Sequence, residues 1–249
     1  MNTFFSAVAG CRVRWQAVAG KGDPLFFIHG LGCASSYDYL SVVTAPQFSG
    51  HRAVLVDLPG YGYSDKPEQF SYSISEQAQV MAELITHCAI EKCFLFGHSM
   101  GGSISIELAE LLGDKLSGII VAEPNTRPGG GRLSREVCSM TEEEFIRSGY
   151  QQMIAAESSP WAGSLAISSP RAVWRSAASL IAGKQWLDAL IALPVRKQIV
   201  FGEYSLPSED MDKAVRSQLP YHVLKECGHF MAYEDPHTLA QVLSAFLSL

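Results

Sequence analysis

Apolar residues recur along the first half of the chain in short runs of strand length: Pro24 to His29, Ala53 to Asp57, Cys93 to Gly97 and Gly118 to Ala122. Between them lie longer stretches, Ser75 to Cys88 and Ser99 to Leu112, in which apolar positions return every three or four residues, the spacing of one buried helix face. Gly113 stands just past the second, where a left-handed residue ends a helix. This alternation predicts βα units stacked into a mostly parallel sheet, an α/β fold. Two further strands, Thr3 to Ala7 and Arg12 to Val18, are predicted around a turn at Gly10.

After Glu123 the rhythm stops, interrupted by Pro124, Pro128 and Gly129-Gly130-Gly131, and no strand pattern returns until about Leu193. Thr141 with Glu144 is a capping box that predicts a helix through Glu157, and Ser169-Pro170 opens another toward Ile181. Trp161, Trp174, Trp186, Phe145, Tyr150 and Met153 concentrate here, either as packing against the sheet or as walls of an apolar cavity. From Val195 the alternation resumes with a strand Lys197 to Phe201, a helix Ser208 to Gln218, a strand Tyr221 to Lys225 and a helix Pro236 to Leu247. The expected organisation is a core of residues 1–123 and 193–249 interrupted by a helical insertion, 124–192.

Composition narrows the function classes. The 249 residues are 47% hydrophobic and 18% charged, enough apolar side chain for one large core. With 25 acidic against 19 basic residues the net charge is -6, so no basic surplus exists to hold a nucleic acid. No run approaches the roughly 20 apolar residues of a membrane span. The six cysteines lack CxxC spacing and the seven histidines lack HExxH spacing, so neither a disulfide framework nor a metal is expected, and reduced thiols fit a cytoplasmic protein. Val8-Ala9-Gly10-Cys11 has the look of a lipoprotein cleavage site, but no Lys or Arg precedes Arg12, and the segment reads as a turn between strands.

The sharpest chemical signal is Gly97-His98-Ser99-Met100-Gly101-Gly102, directly after one predicted strand and directly before a helix. A serine on a strand-turn-helix corner needs small neighbours two residues to either side, so that its hydroxyl stands exposed; Ser99 is the candidate nucleophile. A serine hydroxyl needs a base. Of the histidines, His229 lies in the loop Cys227-Gly228-His229-Phe230 after the last strand, at the end of the sheet where the elbow emerges. His98 is expected to point its ring away from Ser99 and pack in the turn, and His29 to bond loop backbone. Donors for an oxyanion are expected from the amides of Met100, after the nucleophile, and Leu31, in the loop His29-Gly30-Leu31-Gly32.

These segments, with Asp57-Leu58-Pro59-Gly60-Tyr61-Gly62-Tyr63-Ser64 and the insertion after Ala122, resemble the α/β-hydrolase superfamily over nearly the whole chain, in its esterase- and lipase-like serine hydrolases. The resemblance implies an eight-stranded, mostly parallel sheet flanked by helices, a helical lid over the site, and no cofactor. It implies hydrolysis of a carboxylic ester or related acyl compound, with lactonase, thioesterase, C–C bond hydrolase and a catalytically silent binding module as alternatives, and the aromatic content of the insertion suggests a small, mainly apolar substrate. It also sets the chain apart from haloalkane dehalogenases and epoxide hydrolases of the superfamily, which carry aspartate where Ser99 stands. One departure appears: most relatives place the triad acid after the strand following the lid, in Gly-Glu-x-Asp, and some after an earlier strand, whereas this chain reads Gly202-Glu203-Tyr204-Ser205. Glu123, at the end of an earlier strand and between Ser99 and His229 in chain order, is the favoured acid. Asp210 and Glu203 remain alternatives, as does the absence of any acid.

Overall fold

The structure is a computed structural model that describes residues 1–248. Eight strands form one sheet: β1 (Asn2–Ser6), β2 (Cys11–Val18), β3 (Lys21–Ile28), β4 (His51–Asp57), β5 (Cys93–His98), β6 (Leu116–Ala122), β7 (Arg196–Gly202) and β8 (Tyr221–Leu224). Their order across the sheet is β1-β2-β4-β3-β5-β6-β7-β8. Strand β2 runs antiparallel to β1 and β4, and every pairing from β4 through β8 is parallel. This is the expected mostly parallel, eight-stranded α/β sheet.

The central strands are apolar throughout because both faces are covered. Phe26, Ile28, Leu95 and Ile119 point to the side packed by the helices Ile74–His87 and Met100–Leu112. Leu25, Phe27, Phe96 and Ile120 point to the other, where Leu239, Leu243 and Phe246 of the C-terminal helix Pro236–Leu247 close the core. The alternation follows from the two-residue period of a strand. From β3 the chain moves to β4 on one side, and from β5 to β6 on the other. Such a reversal opens a crevice at the carboxyl ends of the strands.

Between β6 and β7 the chain forms a run of helices, among them Arg132–Val137, Tyr150–Ala156, Trp161–Ala166, Pro170–Ala182 and Trp186–Ala192. The Thr141 capping box is present, with Glu144 reaching back to it. The helix it opens is not regular, however: Phe145–Gly149 forms a π-helical turn, which carries Phe145 and Gly149 inward, and the helix closes at Ala156. The loop after β4 docks this insertion. The fully buried Tyr61 donates its hydroxyl to Ser176 Oγ (2.9 Å), and the Ser169 amide donates to the Gly60 carbonyl (2.7 Å). Gly60 adopts φ +92, and a Cβ there would lie 2.4 Å from that of Ala172. Asp57 sets the loop by accepting from Ser36 Oγ (2.7 Å) and the Tyr63 amide (2.9 Å). Among the described residues, no helix is long and apolar enough to cross a membrane.

Candidate active site

Strand β5 turns into the helix Met100–Leu112 at Ser99, whose φ of 54 and ψ of -119 lie in a sparsely populated region. Such a residue costs about 1–3 kcal/mol and persists only when its surroundings fix it. Here the Ser99 amide donates to the Ala122 carbonyl (2.9 Å) and the Ser99 carbonyl accepts from Gly102 (2.9 Å). The glycines are needed for closeness. A Cβ on Gly101 would sit 2.0 Å from the Ile28 carbonyl oxygen of β3, and one on Gly97 would sit 2.3 Å from the Gly101 carbonyl oxygen. The serine side chain therefore projects into the crevice rather than into the core.

His229 reaches the same crevice from the loop after β8, as Glu123 does from the end of β6. Glu123 has φ 46; its amide donates to the Val200 carbonyl (3.0 Å), and its Oε1 accepts from the Gly202 amide (2.7 Å). Its Oε2 lies 3.7 Å from His229 Nδ1, beyond a hydrogen bond but within direct charge contact, with the carboxylate largely buried. The other two carboxylates are engaged elsewhere. Asp210 accepts from Thr126 Oγ1 (2.8 Å) and Arg127 (2.7 Å), and Glu203 from the Glu226 amide (2.9 Å).

Leu31 and Met100 flank the serine. Met100 opens its helix, so its N–H has no intrahelical acceptor. Neither its amide nor that of Leu31 donates to an acceptor among the described residues. The Leu31 amide shares a peptide unit with the Gly30 carbonyl, which accepts from His29 Nδ1 (2.8 Å) and the Cys33 amide (3.2 Å). His29 Nε2 accepts from the Leu58 amide (3.1 Å), so His29 is a loop-holding residue, as its sequence position suggested.

Two contributions were not legible beforehand. His98 is buried in the turn, as expected, and lines the cavity beside Ser99; its Nε2 donates to the backbone carbonyl of His229 (2.8 Å) and the two rings lie 4.8 Å apart. Burial, with the His229 ring as a second influence, pushes His98 down to about 3, so its ring is neutral at ordinary pH. Asp38, under the loop after β3, accepts from the Ala34 amide (2.7 Å) and from the Tyr233 hydroxyl, tying that loop to the turn after His229. Burial pushes the Asp38 carboxyl up.

Ser99, His229, Glu123 and Leu31 line one cavity of about 580 Å³. Its walls include Leu133, Met153, Trp161, Leu180 and Phe230, so part of the insertion's aromatic content faces the cavity. Phe145, Tyr150 and Trp186 are instead buried packing residues. Arg132 and Glu136, a largely exposed ion pair (3.3 Å), lie where the cavity meets solvent.

A family model described as the alpha/beta hydrolase family matches residues 25–242, and the chain belongs to that family. Among curated proteins it is 30% identical over 150 residues to the mesoderm-specific transcript homolog protein of Bos taurus, covering 58% of this chain and 44% of that one. The match thus spans less than half of that relative. Among solved structures, a thermophilic esterase from Thermogutta terrifontis superposes with a TM-score of 0.84 at 20% identity, over 100% of this chain and 98% of that one. The esterase EaEST from Exiguobacterium antarcticum superposes at 0.82 with 22% identity over 100% of both. At these identities the likeness is one of fold.

Proposed function

We propose that the protein is a serine hydrolase that cleaves a carboxylic ester or a closely related small acyl compound through an acyl-enzyme. The observation that carries the reading is the convergence of a strained, outward-facing Ser99 with His229 and Glu123 on one cavity. In this reading Ser99 Oγ attacks the acyl carbon while its proton passes to His229, and the carbonyl becomes an oxyanion held by the Leu31 and Met100 amides. Collapse breaks the bond to the leaving alcohol, which takes the proton from His229. A water then attacks the acyl-enzyme, giving its proton to His229. Its hydroxide forms the acid, and Ser99 recovers the proton. Glu123 orients the imidazole and stabilises its cation.

The insertion acts as a lid, and its apolar walls favour a mainly apolar acyl or alcohol part of modest size. The likeness to two esterase folds supports the ester class. The test is hydrolysis of a panel of p-nitrophenyl esters, lactones and thioesters by the wild type and by Ser99→Ala. The reading expects turnover of at least one acyl class, abolished by the substitution. Turnover that survives in Ser99→Ala refutes it.

A further inference from the structure

We propose that Trp161, on the insertion, is a positioning residue that holds the oxyanion loop and the His229 loop in register. The inference rests on the serine-hydrolase reading above and deepens it. The loop Gly30 to Gly32 has glycine on both sides of Leu31, and Gly32 adopts φ +69, so its two peptide units are free to rotate unless something holds them. The first, bearing the Leu31 amide, is held through the Gly30 carbonyl by His29 and Cys33. The second is held from the insertion: Trp161 Nε1 donates to the Leu31 carbonyl at 3.2 Å. The indole also packs closely against the loop, since a Cβ on Gly32 would sit 2.9 Å from Trp161 Cζ2 and 2.8 Å from Leu165 Cδ1.

The same indole stacks on Phe230, with centroids 5.6 Å apart and planes at 29°. Phe230 follows His229 in the chain and sets its ring edge-on to the imidazole at 5.3 Å. One buried side chain, 3% exposed, therefore touches both the loop that carries an oxyanion amide and the loop that carries the base. The helix Trp161–Ala166 is part of the assembled site, and turnover requires it docked. An oxyanion donor misplaced by a fraction of an ångström loses transition-state stabilisation while leaving ground-state binding nearly intact.

The experiment compares wild type, Trp161→Phe and Trp161→Leu for ester kinetics, for inhibition by an alkyl trifluoromethyl ketone, which Ser99 would convert to an oxyanionic hemiketal, and for competitive inhibition by 1-hexanol, which has no carbonyl oxygen for the oxyanion amides to hold. Trp161→Phe keeps the stacking ring and loses the N–H donor. It is expected to lower kcat about tenfold, short of the roughly 10²–10³ lost with a complete oxyanion donor, with KM within about threefold. Ketone affinity should fall by the same factor as kcat, and hexanol binding should stay within about threefold. Trp161→Leu should lose more, because the stack on Phe230 goes as well; if it fails to fold, the conservative variant decides alone. A folded Trp161→Phe that matches wild type in kcat and ketone affinity overturns the inference, as does a variant in which ketone and hexanol binding weaken together. A wild type that forms no hemiketal overturns the serine-hydrolase reading itself.

Discussion

Lowering the pH should destabilise the protein through His98, by an amount the structure fixes. The ring is buried beneath the elbow with its Nε2–H committed to the His229 carbonyl, and it is held from 6.5 down to about 3. The unfolded chain therefore binds a proton at His98 between those values that the folded chain does not. Stability from keeping the ring neutral is full above about pH 6.5 and is lost as pH falls toward 3. Each unit is worth about 1.4 kcal/mol, so at about pH 5, roughly 1.5 units below the unfolded value, about 2 kcal/mol has gone. His29, buried and likewise held low, loses stability in the same direction, so the wild type alone cannot isolate His98. His98→Gln places an amide N–H where Nε2–H stood and cannot titrate. Urea unfolding of both proteins at about pH 7.5 and about pH 5 should show the variant losing about 2 kcal/mol less than wild type between the two conditions. Equal losses would refute the buried, neutral state of His98.

Further outcomes follow from the site. Ser99→Ala and His229→Ala should each lower kcat by roughly five to six orders of magnitude, and the double variant by little more, as steady-state kinetics would show, because the groups act as one unit. Glu123→Gln should lower kcat by roughly 10³–10⁴ without changing the thermal midpoint by more than a few degrees, whereas Asp210→Asn, whose carboxylate is bound to Thr126 and Arg127, should stay within about tenfold of wild type. Reversed results would move the acid. Gly101→Ala should destabilise the fold by about 3 kcal/mol, because its methyl group would sit 2.0 Å from a β3 carbonyl oxygen; an unchanged urea midpoint contradicts that packing.

The fold was legible because strand and helix patterns alternate cleanly in this chain, and the strands buried on both faces read as unbroken apolar runs. The order of the strands across the sheet is a property of crossovers, which the residues of one strand do not encode. The place of Ser99 on a tight turn could be foreseen because a strand-elbow-helix corner demands local glycines, and that of Glu123 beside it because it closes a strand whose end shares the serine's face. The parts that escaped depend on distant partners. His98 meets a carbonyl 131 residues away, and Trp161 one 130 residues away. Trp161 could be recognised only as one of several aromatics in the insertion, with nothing local to separate it from Trp186, which bonds Glu107 and does not line the cavity. The expected regular helix after Thr141 is interrupted by a π-helical turn over Phe145–Gly149, which nothing in the local apolar spacing signals.

Ser99 as an activated nucleophile is tested most directly by a fluorophosphonate probe, because the probe bonds covalently only to a serine whose proton a neighbouring base removes. Peptide mapping by mass spectrometry after labelling of the folded protein should find a single adduct on Ser99. The adduct should be lost in Ser99→Ala and formed far more slowly in His229→Ala. A folded wild-type protein that remains unlabelled, or that carries its adduct on another residue, would contradict the account.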